Sequence, residues 1–139
     1  MSDVVRGVVV AHGTMAAGLV SAVREITGLD GEALVPISNK GISPDALAAQ
    51  VRAGIRGATI VFTDLLSGSC GFAARRSGRD APDCVIITGV NLPMLLEFAM
   101  HRELPLQELV PKILSRARAS ITASPAHYET HEHRAASGG

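Results

Sequence analysis

Val8-Val9-Val10-Ala11-His12-Gly13-Thr14 is the stretch on which the fold turns. An aliphatic run stops at a histidine, and Gly13 then turns the chain into a helical pattern. A nearly continuous Val run suits a parallel strand buried on both faces. His12 would then stand at the carboxyl end of that strand, where an open α/β sheet exposes its functional groups. With an unperturbed pKa of about 6.5, an imidazole there accepts and releases a group near neutral pH. A lone histidine after a strand serves equally well as a hydrogen-bond partner for its own loop. What the rest of the chain places beside it decides between the two.

Working outward, apolar runs alternate with helical periods. The first strand spans residues 4–11, and Thr14 is placed to cap the helix that follows. Met15, Leu19, Ala22, Val23 and Ile26 recur at three- and four-residue steps, and Gly28 is placed to stop that helix. A second strand covers 33–37. Ser43-Pro44 opens a helix through Gly54, with Leu47, Val51 and Ile55 facing inward. A third strand covers 58–63 and ends in Asp64; a fourth covers 84–88 and is followed by Gly89. Asn91 caps a further helix with Pro93 in its first turn and Leu92, Leu95, Leu96 and Ala99 as its stripe. The last helix runs over 106–119, with Leu109, Val110, Ile113, Leu114 and Ala117 on one face. Such β-α units give an α/β fold: an open, mostly parallel sheet of four strands with helices on both faces. The loops after Ala11, Thr63 and Thr88 then converge on one edge, making His12, Asp64 and Asn91 neighbours.

Length and composition bound the possibilities. The 139 residues allow one domain with one core, and at 47% apolar but 3% aromatic that core is aliphatic. Lys+Arg and Asp+Glu balance at 13 each, which removes the electrostatic argument for a nucleic-acid partner. No apolar run approaches the roughly 18–20 residues of a membrane span. Met1-Ser2-Asp3-Val4 lacks the order of a signal peptide, so a soluble, cytoplasmic protein without direct membrane insertion is expected. Cys70 and Cys84 form no metal-type spacing, and Cys84 reads as a small apolar strand residue. Beyond Thr122 the chain shifts to Ala, Ser, Gly, Glu and His, so residues 1–122 are expected as the domain and 123–139 as a mostly disordered tail.

His12 and Asp64 make a productive pair. The carboxylate accepts the proton on one ring nitrogen, fixing the tautomer and leaving the other lone pair free as a nucleophile. Ser67-Gly68-Ser69 offers backbone N–H groups and two hydroxyls, and Gly13 with Thr14 adds a helix N-terminus whose dipole favours an anion. A phosphoryl group suits both, and its transfer depends on positioning and charge stabilisation, with no metal and no cofactor required in principle. Each residue also has a plainer role: Asp64 as a turn cap, the Ser-Gly-Ser run as ordinary loop, Asn91 as a helix cap. Their conjunction at matching strand ends carries the argument.

Ala11-His12-Gly13 followed by Ala16-Ala17-Gly18-Leu19 resembles the active-site segment of the mannose-family enzyme IIA of the bacterial sugar phosphotransferase system. Thr88-Gly89-Val90-Asn91-Leu92-Pro93-Met94-Leu95 resembles that family's second and more distinctive signature, and Asp64 with Gly68-Ser69 its third segment. The similarity covers about residues 4–120. It implies a IIA-like phosphocarrier domain in which His12 takes a phosphoryl group from the histidine phosphocarrier protein and passes it to a IIB component. The resemblance implies that Asp64 orients the imidazole and that the glycine-serine loop contacts phosphate. It also implies a homodimer with an exchanged, antiparallel edge strand, for which residues 120–123 are the candidate. The tail is too short for a fused IIB domain, so IIB would be a separate chain.

Departures from the family pattern bear on the loop. Ser67 stands for a usual glycine, Cys70 for a usual proline and Phe72 for a common asparagine. If position 67 required positive φ, serine would cost roughly 1 kcal/mol of strain. Leu65 and Leu66 either form an apolar docking spot beside His12 or pack under the last helix. Arg75, Arg76 and Arg79 either meet an acidic partner or lie solvated. His127, His131 and His133 lack the fixed geometry of a metal site. Alternatives to a transport phosphocarrier are a regulatory module controlled by His12 phosphorylation, the phosphodonor subunit of a dihydroxyacetone kinase, and a binding protein no longer phosphorylated. The Asn91-Leu92-Pro93-Met94 segment argues against the kinase subunit.

Overall fold

The computed structural model describes residues 4–29 and 31–130. Four strands form one sheet: β1 (Arg6–Ala11), β2 (Leu34–Ser38), β3 (Thr59–Thr63) and β4 (Cys84–Thr88). Their order is β2-β1-β3-β4, and every pairing is parallel. Five helices connect and cover them: α1 (Met15–Thr27), α2 (Pro44–Gly54), α3 (Gly68–Gly78), α4 (Leu92–Met100) and α5 (Leu106–Ala119).

The alternation of β1 explains the two layers. Val5, Val9 and Ala11 face a core shared with α1, α4 and α5; Val8 and Val10 face a second core under α2 and α3. In the first core Phe62 and Phe98 meet edge-to-face with ring centres 5.5 Å apart, so two of the three phenylalanines anchor an otherwise aliphatic interior. The chain leaves β1 for β2 on one side and returns past it to β3 on the other. The point where direction reverses lies between β1 and β3, and the crevice beyond their carboxyl ends is where such sheets place ligands. His12 and Asp64 are the first residues past those two strands.

Several local expectations shift. The helix α3 occupies the stretch read as loop and basic cluster. Its inward face, Cys70, Ala73, Ala74 and Ser77, is built of small residues that carry little hydrophobic signal yet allow close approach to α2 and the sheet. In α1 the buried residues are Ala16, Val20 and Val23, with Met15 and Ile26 exposed, so the apolar face is rotated from the expected one. In α4 they are Met94, Leu95 and Phe98. Thr14 makes no side-chain cap on α1; its φ of −99° and ψ of 8° hold it in the preceding turn. Ser43 and Asn91 do cap, accepting from the Ala46 and Met94 N–H groups. Gly28 ends α1 in the left-handed conformation as expected.

Residues 120–123 follow α5 exposed and pair with no strand among the described residues. Ala126–Thr130 forms an exposed 3-10 turn, and the expectations for 131–139, including His131 and His133, lie outside the described residues. No described helix is long and apolar enough to cross a membrane.

Candidate functional site

The parallel register brings four strand ends to one rim. From β1 comes His12, and from β3 comes Asp64, 52 positions later. The Asp64 carboxylate makes three bonds. Its Oδ2 accepts the His12 backbone N–H at 2.9 Å and lies 2.7 Å from the ring Nδ1, while its Oδ1 accepts the Leu65 N–H at 2.9 Å. One carboxylate thus fixes both the strand end and the ring hung from it. Burial alone would raise the Asp64 carboxyl; the hydrogen bonds from the His12 amide and ring, its charge interaction with the ring and the bond from the Leu65 amide outweigh that and hold it below the ordinary carboxylate value. An ionised carboxylate only accepts, so in the neutral imidazole Nδ1 carries the proton and Nε2 keeps its lone pair. The His12 side chain is 43% exposed against 9% for Asp64, so the ring stands out from its anchor.

The loop after Asp64 backs the ring. Gly68 has φ +90°, and a Cβ built there would lie 3.5 Å from Cε1 and 3.7 Å from Nε2 of His12. Ser67 has φ −102° and ψ 177°, extended backbone open to any residue, so the serine in place of glycine carries no strain. Positive φ falls on Gly68 instead. Gly71 lets the loop close on α3: a Cβ there would meet the Leu66 carbonyl oxygen at 2.5 Å. The Arg75 guanidinium reaches the same carbonyl. Leu65, Leu66 and Phe72 are all exposed, so the leucines lie on the rim and not under the last helix. Arg76 pairs with Asp45 at 2.8 Å.

The β2 end supplies residues that the sequence alone did not single out. Ser38 donates through Oγ to the Gly13 carbonyl at 2.8 Å and accepts from the Lys40 N–H at 3.0 Å. Asn39 accepts the Gly13 N–H at 3.2 Å and donates through Nδ2 to Ser69 Oγ at 3.4 Å, joining the two loops that flank His12. Their signal was available in topology alone: β2 is parallel to β1, so the residues after it reach the same rim. Thr14 and Ser67 are exposed there. Asn91 belongs to the β4 end, where the Val90 N–H donates to the Thr63 carbonyl at 2.9 Å, and its own side chain caps α4.

Cys70 lies in the first turn of α3, fully buried. Burial first, and the Asp64 charge second, push its thiol up, against a hydrogen bond with Ser69. One ligand atom each from His12, Asp64 and Cys70 falls within 4.8 Å of the others.

An open parallel sheet with an imidazole and carboxylate paired at its switch point defines a domain that presents an oriented histidine on its rim. Residues 7–114 match the family described as PTS system fructose IIA component, EIIA-man. The chain belongs to that family and is a sugar phosphotransferase system IIA component. No curated protein matches it. Among solved structures it is similar to phosphotransferase system component EIIA from Streptococcus agalactiae, with 24% identity, TM-score 0.79, and coverage of 86% of this chain and 96% of that one. It also resembles the mannose/sorbose specific IIA subunit from Enterococcus faecalis, at 24% identity and TM-score 0.71 over 85% and 92% of the two chains. A sigma-54 interaction domain protein from Enterococcus faecalis shares the fold at 16% identity and TM-score 0.68, over 85% of this chain and 94% of that one.

Proposed function

We propose that this chain is a phosphocarrier in which His12 Nε2 accepts a phosphoryl group from the histidine phosphocarrier protein and passes it to a separate IIB component. The 2.7 Å contact between Nδ1 and Asp64 Oδ2 carries the reading, because it dictates which nitrogen keeps its lone pair. In the forward step the donor's P–N bond breaks as the Nε2–P bond forms. The ring gains positive charge with its proton still on Nδ1, and Asp64 stabilises that charge. Transfer to IIB reverses the step, returning the electron pair to Nε2.

The exposed Thr14 and Ser67 hydroxyls, Ser69 and the Gly68 backbone cradle the phosphoryl oxygens at the amino ends of α1 and α3. Gly13, at φ +61°, makes the turn that lifts α1 clear of the ring. Asn91 acts through α4, holding the β4 end in place. The phosphocarrier unit is residues 1–122, working in the cytoplasm with its protein donors. Its homodimer exchanges residues 120–123 onto β4, a sheet edge in the single chain. A second reading, regulation of a partner by His12 phosphorylation, draws support from the sigma-54 interaction domain protein of the same fold.

The test is intact-protein mass after incubation with phosphoenolpyruvate, enzyme I and the histidine carrier. Wild type is expected to gain one acid-labile phosphoryl group, and His12→Ala none. An unmodified wild type, or an equally modified variant, refutes the assignment.

A further inference from the structure

We propose that the same rim binds one thiophilic divalent cation of the zinc class through His12, Asp64 and Cys70. Their three ligand atoms already lie within 4.8 Å of one another. Imidazole, carboxylate and thiolate together form the donor set that zinc prefers over magnesium or calcium. Each donor rides on a different rigid element: the ends of β1 and β3 and the first turn of α3. Cys70 is 0% exposed and closes the site from below, while the half-exposed ring leaves a solvent side for a water as fourth ligand.

Second contacts are also present. The Leu65 N–H holds Asp64 Oδ1 at 2.9 Å, leaving Oδ2 toward the ring, and Ser69 hydrogen-bonds the thiol. A tetrahedral zinc needs ligand atoms roughly 3.3–3.8 Å apart, so the Nδ1–Oδ2 pair, at 2.7 Å, must open by about half an ångström and the widest separation, within 4.8 Å, must close by up to about one. Cys70 stands where the family resemblance places proline, so the chelate belongs to this chain's own loop.

The consequence rests on the phosphocarrier reading. A neutral imidazole has one proton. A cation on Nδ1 takes the lone pair there and moves the proton to Nε2, removing the pair that would attack phosphorus. The thiol proton goes to solvent. Metal binding and phosphoryl acceptance at His12 therefore exclude each other.

The experiment titrates the full, unphosphorylated chain with Co2+ and then Zn2+. One equivalent of Co2+ is expected to raise a near-ultraviolet thiolate-to-cobalt charge-transfer band that Zn2+ bleaches. Cys70→Ser and Cys70→Ala, each checked for folding by circular dichroism, are expected to lose the band; Cys84→Ser keeps it. Histidines of the tail contribute no sulfur and so no such band. His12→Ala, which removes a direct ligand, is expected to weaken the site. No band in wild type, or a band that survives loss of Cys70, overturns the site.

With purified phosphorylated carrier as donor, saturating Zn2+ is expected to abolish wild-type transfer while the Cys70 variants show the same rate with and without it. A cobalt band with zinc-insensitive transfer overturns the exclusion. A cobalt band in a chain that never accepts phosphate leaves the metal site standing and refutes the phosphocarrier reading.

Discussion

The two ends of the sheet differ in a way that cavity size would misjudge. At the amino end lies a cleft of about 830 Å³, lined by Arg6, Arg56 and Arg102 among others. At the carboxyl end His12 stands on an open rim. Of the cleft's cations, Arg102 ties the fold by donating to the Val5 carbonyl at 2.8 Å, while the exposed Glu32 sits 3.5 Å from Arg56 and 3.9 Å from Arg6. The rim has the opposite character, a short imidazole–carboxylate pair with one nitrogen left over. On the phosphocarrier reading, a group handed between two proteins must be reached by both, so its carrier belongs on an accessible rim; enclosed volume suits a small ligand held alone. Volume and chemistry mark different ends here, and the proposed function follows the chemistry.

The largest expected effect falls at the rim. Asp64→Asn should leave a folded protein that accepts phosphate roughly a hundredfold more slowly, because the ring loses its fixed tautomer and aim. Stopped-flow or quenched transfer assays check it, and a wild-type rate removes the orienting role. The same variant sharpens the electrostatics. The folded Asp64 carboxyl ionises more readily than an unfolded one. Its contribution to stability is therefore present above the ordinary value of about 3.9 and is lost as pH falls through the lower folded value. Denaturant curves of wild type and Asp64→Asn should converge in that acid window and separate above it.

Gly68→Ala comes next. Positive φ penalises any Cβ there by about 1–2 kcal/mol, and the methyl would lie in van der Waals contact with the imidazole edge beside Nε2. Both the denaturation midpoint and the transfer rate should fall. At the opposite end, Arg102→Met should cost about 1 kcal/mol by stripping the donor from the Val5 carbonyl, yet leave transfer unchanged. A large loss of transfer in that variant would break the division between the two ends. Smallest is Ser67→Gly, expected to shift stability by only about 0.5 kcal/mol, since Ser67 already has relaxed backbone angles. A marked gain on that substitution would show strain that the geometry denies.

Legibility followed side-chain size and chain distance. The α2 boundaries, Pro44–Gly54, were readable because Ser43 caps the Ala46 N–H and Pro44 starts the helix. The run Cys84–Thr88 was readable as an apolar segment before Gly89. The helix α3 was hidden because Gly68, Gly71 and Gly78 lower its propensity and its buried face is alanine, cysteine and serine. Packing against α2 and the sheet forms it nonetheless. For α1, periodicity marked a helix but not its face; docking on the sheet selected Ala16, Val20 and Val23 over Met15 and Ile26.

Residue patterns alone encode the order of β and α units and, through parallel connection rules, the placing of His12 and Asp64 at strand ends on one rim. Local patterns of burial, caps and breakers encode that much. Which atoms meet is settled by packing across the fold: the Nδ1–Oδ2 contact, the Asn39 bridge between Gly13 and Ser69, and the buried thiol of Cys70 within 4.8 Å of the pair. Those contacts join residues tens of positions apart at ångström tolerance. Such tolerance comes from the packing of β1, β3 and α3 together and from no pattern within any one of them.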